Sequence, residues 1–346
     1  MKALVKYGLK EKMVELREVP EPEIGEQDVL LEVKAAGVCG SDIEMWHHKV
    51  GFHVNVPIIQ GHEFCGIIQD TGPGVKEFKP GDRVVSETAS YICGKCGYCR
   101  KGEYNLCPDR KGFGAGVDGC FTRYVKVPDR ILHKIPENVS FDYAALTEPA
   151  SVAYNAIFIK SRIKPGEAVV VIGPGPIGLF AVQMARIGGA YPIVLVGTDV
   201  DKNRLETGKK IGADYIINVS RDDAVKTFME MTGGSGASLV VDAAGNNAAL
   251  KTAFEIVSRS GQITRLGWDP RPVNMSLDIL IAKAISLQGS FSHTWSSWEA
   301  VLQLVSSSKL MMEPMITHRF PLDKWEDAFE LMDNKSAVKA LIYPTG

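Results

Sequence analysis

Four cysteines within fifteen residues carry the most specific chemistry in this chain. Cys93, Cys96, Cys99 and Cys107 follow the spacing C-x2-C-x2-C-x7-C. Four thiolates in one loop match a closed, tetrahedral zinc site. An iron–sulfur cluster is the alternative, because Pro108 follows the fourth cysteine as a proline does in ferredoxins, but the last spacing is too long and there is no second cysteine set. The pattern therefore predicts a structural zinc ion.

A second set of possible metal ligands is scattered along the first half of the chain. Cys39 lies in Gly-Val-Cys-Gly-Ser-Asp, His62 and Glu63 lie in Gly-His-Glu, and Glu148 precedes a proline. Each of them alone is more often a core or surface residue than a ligand. Together they offer one sulfur, one imidazole and two carboxylates. Three protein ligands with one open position are typical of a catalytic zinc, so the set predicts a second metal site.

A glycine-rich turn near the middle of the chain predicts a nucleotide site. Residues 173–178 read Gly-Pro-Gly-Pro-Ile-Gly, a G-x-G-x-x-G pattern that follows a predicted strand and opens a predicted helix. The first glycine permits a tight turn, the second lets the backbone approach a pyrophosphate, and the third lets helix and strand pack closely. The helix N-terminus then offers N–H groups to the phosphates. The predicted cofactor contacts are Gly173, Gly175, Pro176, Ile177 and Gly178.

Asp199 bears on the choice of nucleotide. It lies at the end of the next predicted strand, about twenty residues past the turn. A carboxylate there can accept hydrogen bonds from the adenosine ribose and would repel a 2′-phosphate, which favours NAD over NADP. Arg204 is the counter-indication, because an arginine can pair with that phosphate. The plainer alternative is that the glycines only make a turn and that Asp199 only caps a helix.

The predicted elements that must position these residues begin with a β-rich part. Up to about residue 150, short apolar runs are separated by Gly, Pro and Asp turns. These runs are Val29–Val33, Gly66–Gln69, Asp82–Val85 and Phe121–Val127. The last sixty or so residues carry two predicted helices and a closing strand, at Trp298–Ser306, Leu322–Met332 and Ala340–Tyr343.

Between these parts, from about residue 165, predicted strands and helices alternate. The segments are Ala168–Ile172, Ile177–Ile187, Pro192–Gly197, Lys202–Ile211, Tyr215–Asn218, Ala224–Met231, Leu239–Asp242, Ala248–Val257 and Gln262–Leu266. Strict alternation predicts a parallel sheet with helices on both faces.

Composition limits the class of protein. A length of 346 residues suggests two domains. A net charge of −2 means that the protein has no excess positive charge to attract nucleic acid or an anionic membrane. The N-terminus lacks an apolar core of signal-peptide length, and the glycine turn explains the most apolar stretch, Ala168–Ala185, better than a membrane span does. Seven cysteines without an export signal favour thiols in a cytoplasmic protein, with Cys65 and Cys120 as buried, inert ones.

An ordered series of motifs gives the chain a family resemblance over essentially its whole length. It is similar to the zinc-containing medium-chain dehydrogenases, in the branch of sorbitol and other polyol dehydrogenases and threonine 3-dehydrogenase. The motifs are GVCGSD, GHE, the KPGDRV turn (Lys79–Val84), the four-cysteine lobe, the EP pair, GPGPIG and THRFPL (Thr317–Leu322). Such a set is specific for the family and much less specific for the substrate.

The resemblance implies an α/β plus β fold in a fixed domain order. A GroES-like catalytic domain would span residues 1–150, with the structural zinc lobe at about 90–110. A Rossmann domain with a doubly wound parallel sheet would span residues 151–286, and residues 287–346 would return to the catalytic domain. The cleft between the domains would hold the substrate. Tetramers and dimers are common among relatives, so a homo-oligomer is expected.

The resemblance also implies roles for the second ligand set. Cys39 and His62 would bind a catalytic zinc, Glu63 would be the third ligand as in the polyol branch, and Glu148 would contact the metal directly or through water. Ser41 would take the proton from the substrate hydroxyl. Zinc would stabilise the alkoxide, and NAD would accept a hydride from the carbinol carbon to leave a ketone. Two zinc ions per chain and NAD are therefore expected.

Two departures from the family pattern bear on the proton path and the substrate. Relatives often have a histidine three residues after the serine, but this chain has Glu44, which either relays the proton or is a solvated surface residue. Polyol dehydrogenases tend to carry an Arg–Tyr pair near Ser292 and His293, and often a tyrosine in place of Met45. The expected substrate is thus a polyol, a polyol phosphate or a similar secondary alcohol rather than sorbitol itself. The alternatives are an L-threonine 3-dehydrogenase and a non-catalytic NAD-binding zinc protein.

Overall fold

The structure is a computed structural model that describes residues 1–345. Its strands are β1 (Lys2–Lys6), β2 (Val14–Glu18), β3 (Asp28–Gly37), β4 (Ile58–Ile59), β5 (Glu63–Thr71), β6 (Arg83–Ser86), β7 (Tyr124–Pro128), β8 (Leu132–Lys134), β9 (Val169–Ile172), β10 (Ile193–Gly197), β11 (Tyr215–Asn218), β12 (Ala237–Asp242), β13 (Val257–Arg265), β14 (Ser286–Gly289), β15 (Ile316–Pro321) and β16 (Lys339–Tyr343). Its α-helices are α1 (Gly40–Trp46), α2 (Gly97–Arg100), α3 (Phe141–Ala144), α4 (Thr147–Tyr154), α5 (Pro176–Ile187), α6 (Lys202–Lys210), α7 (Ala224–Met231), α8 (Asn247–Ile256), α9 (Asp278–Lys283), α10 (Trp295–Ser306) and α11 (Trp325–Asp333).

The chain divides into two compact units. The first contains residues 1–148 and 294–308, together with the C-terminal stretch from residue 316. The second contains residues 149–293 and 309–315. The cysteine lobe and the second ligand set both belong to the first unit, and the glycine turn belongs to the second.

The central strand of the first unit is β3. Its residues alternate between buried and partly exposed positions and become fully buried at the strand's end, as a strand does when one face covers a core. β3 pairs antiparallel with β5, β7 and β16 in a seven-stranded sheet of order β15-β16-β3-β5-β6-β8, to which β7 adds at β3. A separate three-stranded sheet has the order β2-β1-β4.

The register of this sheet brings distant segments together at one end. Gly37, the last residue of β3, lies opposite Glu63 in β5 and pairs with Leu341 in β16. A Cβ atom at position 37 would collide with Oε2 of Glu63, so the glycine makes room for that carboxylate. Cys39 follows two residues later. The end of β3, the start of β5 and the start of β16 therefore meet where the second ligand set lies.

The first helix is held in place by the last one. α1 begins directly after Cys39, and Trp46 at its end is buried. The Trp46 ring packs edge-on against Trp325 and Phe329 of α11, with ring centroids 6.3 and 5.9 Å away. Edge-to-face pairs of this kind add to the free energy of burial. The C-terminal segment of the chain thus supports the helix that carries Ser41.

The second unit contains a six-stranded sheet of order β11-β10-β9-β12-β13-β14 in which every pair is parallel. Strands β9 and β10 are buried at every residue, as required where helices cover both faces. The order reverses between β9 and β12, and ligands of such sheets bind at the carboxyl ends of the strands at that reversal. β9 runs into Gly173 at this point. The predicted Rossmann sheet is confirmed.

The most apolar stretch of the sequence is accounted for by this sheet. Residues 168–185 divide into β9, the glycine turn and most of α5. Within residues 1–345, no helix is both long and apolar enough to cross a membrane.

Candidate active site and metal centres

The four sulfur atoms of the cysteine lobe surround one point. The Sγ atoms of Cys93, Cys96, Cys99 and Cys107 all lie within 4.8 Å of one another, and Cys93 is 3.6 Å from Cys107 and 4.0 Å from Cys99. A tetrahedron with zinc–sulfur bonds of about 2.3 Å has sulfur–sulfur distances of about 3.8 Å. In a four-iron cluster each thiolate would bind a different iron atom, and in a two-iron cluster the four thiolates would be divided between two iron atoms. Sulfur atoms this close fit one ion and not a cluster.

Backbone N–H groups point at these sulfur atoms. Those of Cys93, Cys96 and Cys99 donate to the Sγ atoms of Cys107, Cys93 and Cys96 over 3.4, 3.3 and 3.4 Å. The N–H groups of Lys95 and Cys96 lower the pKa of Cys93 to about 7, whereas desolvation and the neighbouring thiols raise the pKa of Cys99 to about 12. Four thiolates held this close together repel one another, and a cation between them offsets that repulsion. The lobe therefore fits zinc.

Three members of the second ligand set also converge. Cys39, His62 and Glu63 each offer one atom, and these atoms lie within 4.8 Å of one another. Cys39 and His62 are partly exposed and Glu63 is fully buried. Glu148, in the first turn of α4, is buried outside this group but close enough for its charge to act on Glu63. One sulfur, one nitrogen and one oxygen fit a zinc ion that keeps an open position.

Asp42 is a candidate that the sequence reasoning missed. It is fully buried; its Oδ2 atom accepts a hydrogen bond from the N–H of Cys39 over 2.9 Å, and its Oδ1 atom lies 3.7 Å from Nδ1 of His62. Burial lowers the pKa of His62, but the charges of Asp42 and Cys39 outweigh burial and the net shift is well upward. A carboxylate behind a metal-binding histidine orients the ring. Its place three residues after Cys39, the spacing of a helix cap, could have revealed it.

Lys339 is a second candidate that the sequence reasoning missed. Its Nζ atom donates to Oε1 and Oε2 of Glu63 over 2.8 and 2.6 Å and to the carbonyl oxygen of Val38 over 3.0 Å. Burial lowers the pKa of Lys339, but the negative charges around it, with Glu63 the strongest, raise it overall. This buried ammonium ties the residue before Cys39 to the residue after His62. No local pattern pointed to it, because Glu63 is 276 residues away in the chain.

The residues predicted for proton transfer lie on α1. Ser41 is the second residue of the helix and is partly exposed, and Glu44 is exposed three residues later. Residues three apart are neighbours on a helix surface, so this placement allows either predicted role of Glu44. Met45 is buried against Val54 and Ile58 and presents no hydroxyl-binding group.

The glycine turn has the geometry that a pyrophosphate requires. Gly173 has a φ of 100°, and a Cβ atom there would lie 2.6 Å from the Ala244 nitrogen. A Cβ atom at Gly178 would collide with the carbonyl oxygen of Gly173, so helix and strand pack closely. Around Gly175, by contrast, a Cβ atom would meet nothing within 4 Å. Gly175 caps α5, and Pro176 is its first residue. The open side of the turn thus faces the N-terminus of α5, where phosphate groups bind.

The two residues predicted to choose between NAD and NADP have different environments. Asp199 follows β10 and is exposed, as ribose binding requires. Arg204 is buried within α6; burial lowers its pKa, and the charge that acts on it is that of Asp201. The arginine that reaches Asp199 is Arg221, whose Nε atom lies 2.8 Å from Oδ1. The sequence reasoning had not considered Arg221.

Comparisons with known proteins place both units in one family. Residues 25–137 match the alcohol dehydrogenase GroES-like domain, and residues 176–307 match the zinc-binding dehydrogenase family. The sorbitol dehydrogenase of Halalkalibacterium halodurans is 38% identical over 345 residues, which cover 99% of both chains. The L-threonine 3-dehydrogenase of Pyrococcus horikoshii is 36% identical, with 96% of this chain and 94% of the relative covered.

A solved structure gives the same result for the whole chain. The galactitol-1-phosphate dehydrogenase of Escherichia coli matches with a TM-score of 0.90 and 28% identity, covering 99% of this chain and 100% of that one. Zinc suits the two ligand groups, and NAD suits the glycine turn described above. The chain belongs to the zinc-containing medium-chain dehydrogenases, in the branch of the polyol and threonine 3-dehydrogenases, and is a zinc-dependent, NAD-linked alcohol dehydrogenase.

Proposed function

We propose that this enzyme oxidises a secondary alcohol group of a polyol, a polyol phosphate or a similar hydroxylated small molecule to a ketone. The observation that carries the proposal is the group formed by Cys39, His62 and Glu63, whose sulfur, nitrogen and oxygen donors lie together at the start of α1. The relatives named for sorbitol, galactitol 1-phosphate and threonine support it, because all three compounds carry a hydroxyl on a secondary carbon.

In this proposal the two ligand groups have separate tasks. Cys39, His62 and Glu63 hold the catalytic zinc, with Glu148 in contact directly or through water, and the four cysteines hold a structural zinc. When bound, zinc supplies the Lewis acid that stabilises an alkoxide, and NAD supplies the hydride acceptor.

The chain's own side chains orient the site and move the proton. The charge of Asp42 lies 3.7 Å from the ring of His62, and Lys339 holds the carboxylate of Glu63 with two hydrogen bonds. Ser41 accepts the proton of the substrate hydroxyl. In the second unit, Gly175 leaves space for the pyrophosphate and the carboxylate of Asp199 accepts a hydrogen bond from a ribose hydroxyl.

Two departures from the polyol dehydrogenase pattern favour a substrate other than sorbitol itself. Met45 is 1% exposed in an apolar cluster and offers no hydroxyl. Ser292 and His293 stand where polyol dehydrogenases tend to have an Arg–Tyr pair, and His293 is buried. L-Threonine remains the second candidate, because a threonine 3-dehydrogenase is 36% identical over nearly the whole chain.

A panel of alcohols tests this proposal. NADH formation would be measured with polyols, polyol phosphates, vicinal diols and L-threonine, with Cys39→Ser as the matched control. We expect the highest kcat/KM with a polyol or a polyol phosphate and no turnover by the control. A highest kcat/KM with L-threonine would instead establish the alternative. NAD binding without turnover of any compound would mark a non-catalytic zinc protein.

We further propose that the enzyme is a cytoplasmic homo-oligomer, a dimer or a tetramer. None of the seven cysteines, all of which the structure describes, is in a disulfide, and this favours a reducing compartment. In the described chain, β14 is an edge strand paired only with β13, and Leu287 within it and Ile281 of α9 are exposed. An open, apolar edge invites a second copy of the same chain. Light scattering should give a multiple of the chain mass, and Ile281→Glu should reduce it; a monomeric wild type would contradict the proposal.

A further inference from the structure

The loop after β11 closes around the carboxylate of Asp199. Oδ1 of Asp199 accepts hydrogen bonds from Nδ2 of Asn218 over 2.7 Å and pairs with Nε of Arg221 over 2.8 Å. The N–H of Asp199 donates to Oγ of Ser220 over 3.1 Å, and the N–H of Ser220 donates to Oδ1 of Asn218 over 3.0 Å. Asp199 is therefore held by the neighbouring strand's loop as well as by its own.

Only one of the two carboxylate oxygens of Asp199 is occupied by these contacts. The contacts of Asn218 and Arg221 both fall on Oδ1, while no hydrogen bond to Oδ2 is found among the described residues. A ribose hydroxyl can donate to Oδ2 without displacing either partner, since each carboxylate oxygen has two lone pairs. Recognition of NAD by Asp199 is thus compatible with the Arg221 contact.

The positive charge of Arg221 beside Asp199 also affects the binding of NADP. A lone aspartate would repel a 2′-phosphate, and this repulsion is what favours NAD in sites of this kind. Here the guanidinium of Arg221 lies against the same carboxylate, so the local charge of the pair is near zero. Both side chains are open to solvent, with Asp199 49% and Arg221 72% exposed, so the guanidinium can also reach a ligand. Arginine suits phosphate because its planar N–H groups bind two oxygens at once.

We infer that Arg221 is a specificity-determining residue that weakens the discrimination of this site against NADP. Asp199 and Arg221 then act in opposite directions: the carboxylate selects the free ribose hydroxyl, and the guanidinium tolerates a phosphate in its place. Arg204, the arginine predicted from the sequence, is buried within α6 where the charge of Asp201 acts on it, whereas Arg221 is exposed beside the carboxylate. The inference rests on the proposed nucleotide site at Gly173–Gly178 and Asp199.

The test measures binding rather than turnover. The affinities of NADH and NADPH would be determined by nicotinamide fluorescence for the wild type and for Arg221→Ala, Arg221→Lys and Asp199→Ala. Arg17→Ala is the matched control, because Arg17 also forms an exposed pair with a carboxylate, at 2.7 Å from Glu15, but in the first unit. All variants alter exposed side chains and are expected to fold.

The expected pattern separates the two proposals. Arg221→Ala should weaken NADPH binding about tenfold and change NADH binding by less than about twofold, Arg221→Lys should keep part of the NADPH affinity, and Arg17→Ala should change neither. Equal losses for both cofactors, or no loss for NADPH, would overturn the role of Arg221. If Asp199→Ala also leaves NADH binding unchanged, the proposed nucleotide site itself is wrong.

Discussion

The two ligand groups of the first unit are built in opposite ways. The cysteine lobe takes all four sulfur atoms from one stretch of fifteen residues, and three of the four cysteines are partly exposed. The group at Cys39 takes its atoms from the end of β3 and the start of β5, and it is backed by charges on α1 and β16. A closed site can be made by a loop alone, whereas a site that must leave one position open needs a rigid frame on its other sides.

The first way to test this contrast is to damage the lobe. Cys96→Ser removes one of four ligands from a stretch that has little core of its own. Metal binding by such a lobe is worth on the order of 10 kcal/mol of local folding free energy. We expect loss of zinc from the lobe and a large fall in thermal stability, measured by calorimetry together with metal analysis.

Tyr104 connects the lobe to the rest of the first unit, so loss of zinc from the lobe should also destabilise that unit. The hydroxyl of Tyr104, between Cys99 and Cys107, donates to Glu87 over 2.8 Å and accepts from the N–H of Trp295 over 2.6 Å. Tyr104→Phe keeps the four thiols and serves as the control, which should retain zinc. A stable, zinc-depleted Cys96→Ser protein would contradict the structural role of the lobe.

The second test removes the frame of the other group. Lys339→Met keeps the length of the side chain but leaves the buried carboxylate of Glu63 without its ammonium partner. Breaking a buried ion pair from one side costs about 3–5 kcal/mol. We expect a loss of this size in the free energy of unfolding, measured by denaturant titration.

A matched exposed pair is the control for Lys339. Lys2 and Asp323 form an ion pair of similar length, 2.9 Å, but their side chains are 53% and 59% exposed. Lys2→Met should leave stability unchanged, because water and salt screen such a pair. Equal effects of the two substitutions would mean that the buried Lys339–Glu63 ion pair stabilises the fold no more than an exposed pair does.

The third and smallest test concerns the proton path on α1. Ser41→Ala should lower turnover by about a hundredfold or more, because the group that takes the substrate proton is lost. Glu44→Gln separates the two roles left open for that residue. If Glu44 is a solvated surface residue, Glu44→Gln should leave turnover unchanged. If Glu44 relays the proton, the variant should show markedly lower turnover and an altered pH profile. Zinc content and NAD affinity should be retained in both cases.

Local sequence patterns were sufficient to predict those parts of the structure that depend on residues close together in the chain. The strand Tyr215–Asn218 and the helix Ala224–Met231 occur at the predicted residues, and the cysteine spacing predicted a lobe whose sulfur atoms do meet. The glycine turn was also predictable, because its φ angle and its close packing are properties of the turn itself. Cys65 and Cys120 are both buried, as predicted from their apolar sequence surroundings, although only Cys65 lies in a strand.

What could not be predicted depends on strand pairing between distant segments. Lys339 lies at the start of a strand whose place beside β3 is set by the whole sheet, so its contact with Glu63 has no local signature. Arg221 is similar, because it approaches Asp199 only when β11 pairs with β10. The sequence predicted a helix from Leu322, but the structure has a 3-10 turn there and α11 starts only at Trp325. Pro321, the last residue of β15, is extended, so the chain needs this turn before the α-helix can begin.

We propose that the group at Cys39 holds the catalytic metal and that the cysteine lobe holds a separate structural one. Metal analysis and turnover of Cys39→Ser, beside the wild type, test it most directly. We expect two zinc ions per wild-type chain, and a folded Cys39→Ser protein that retains one zinc ion, binds NAD and has no turnover. A Cys39→Ser protein that keeps both zinc ions, or that still oxidises the substrate at the wild-type rate, would contradict it.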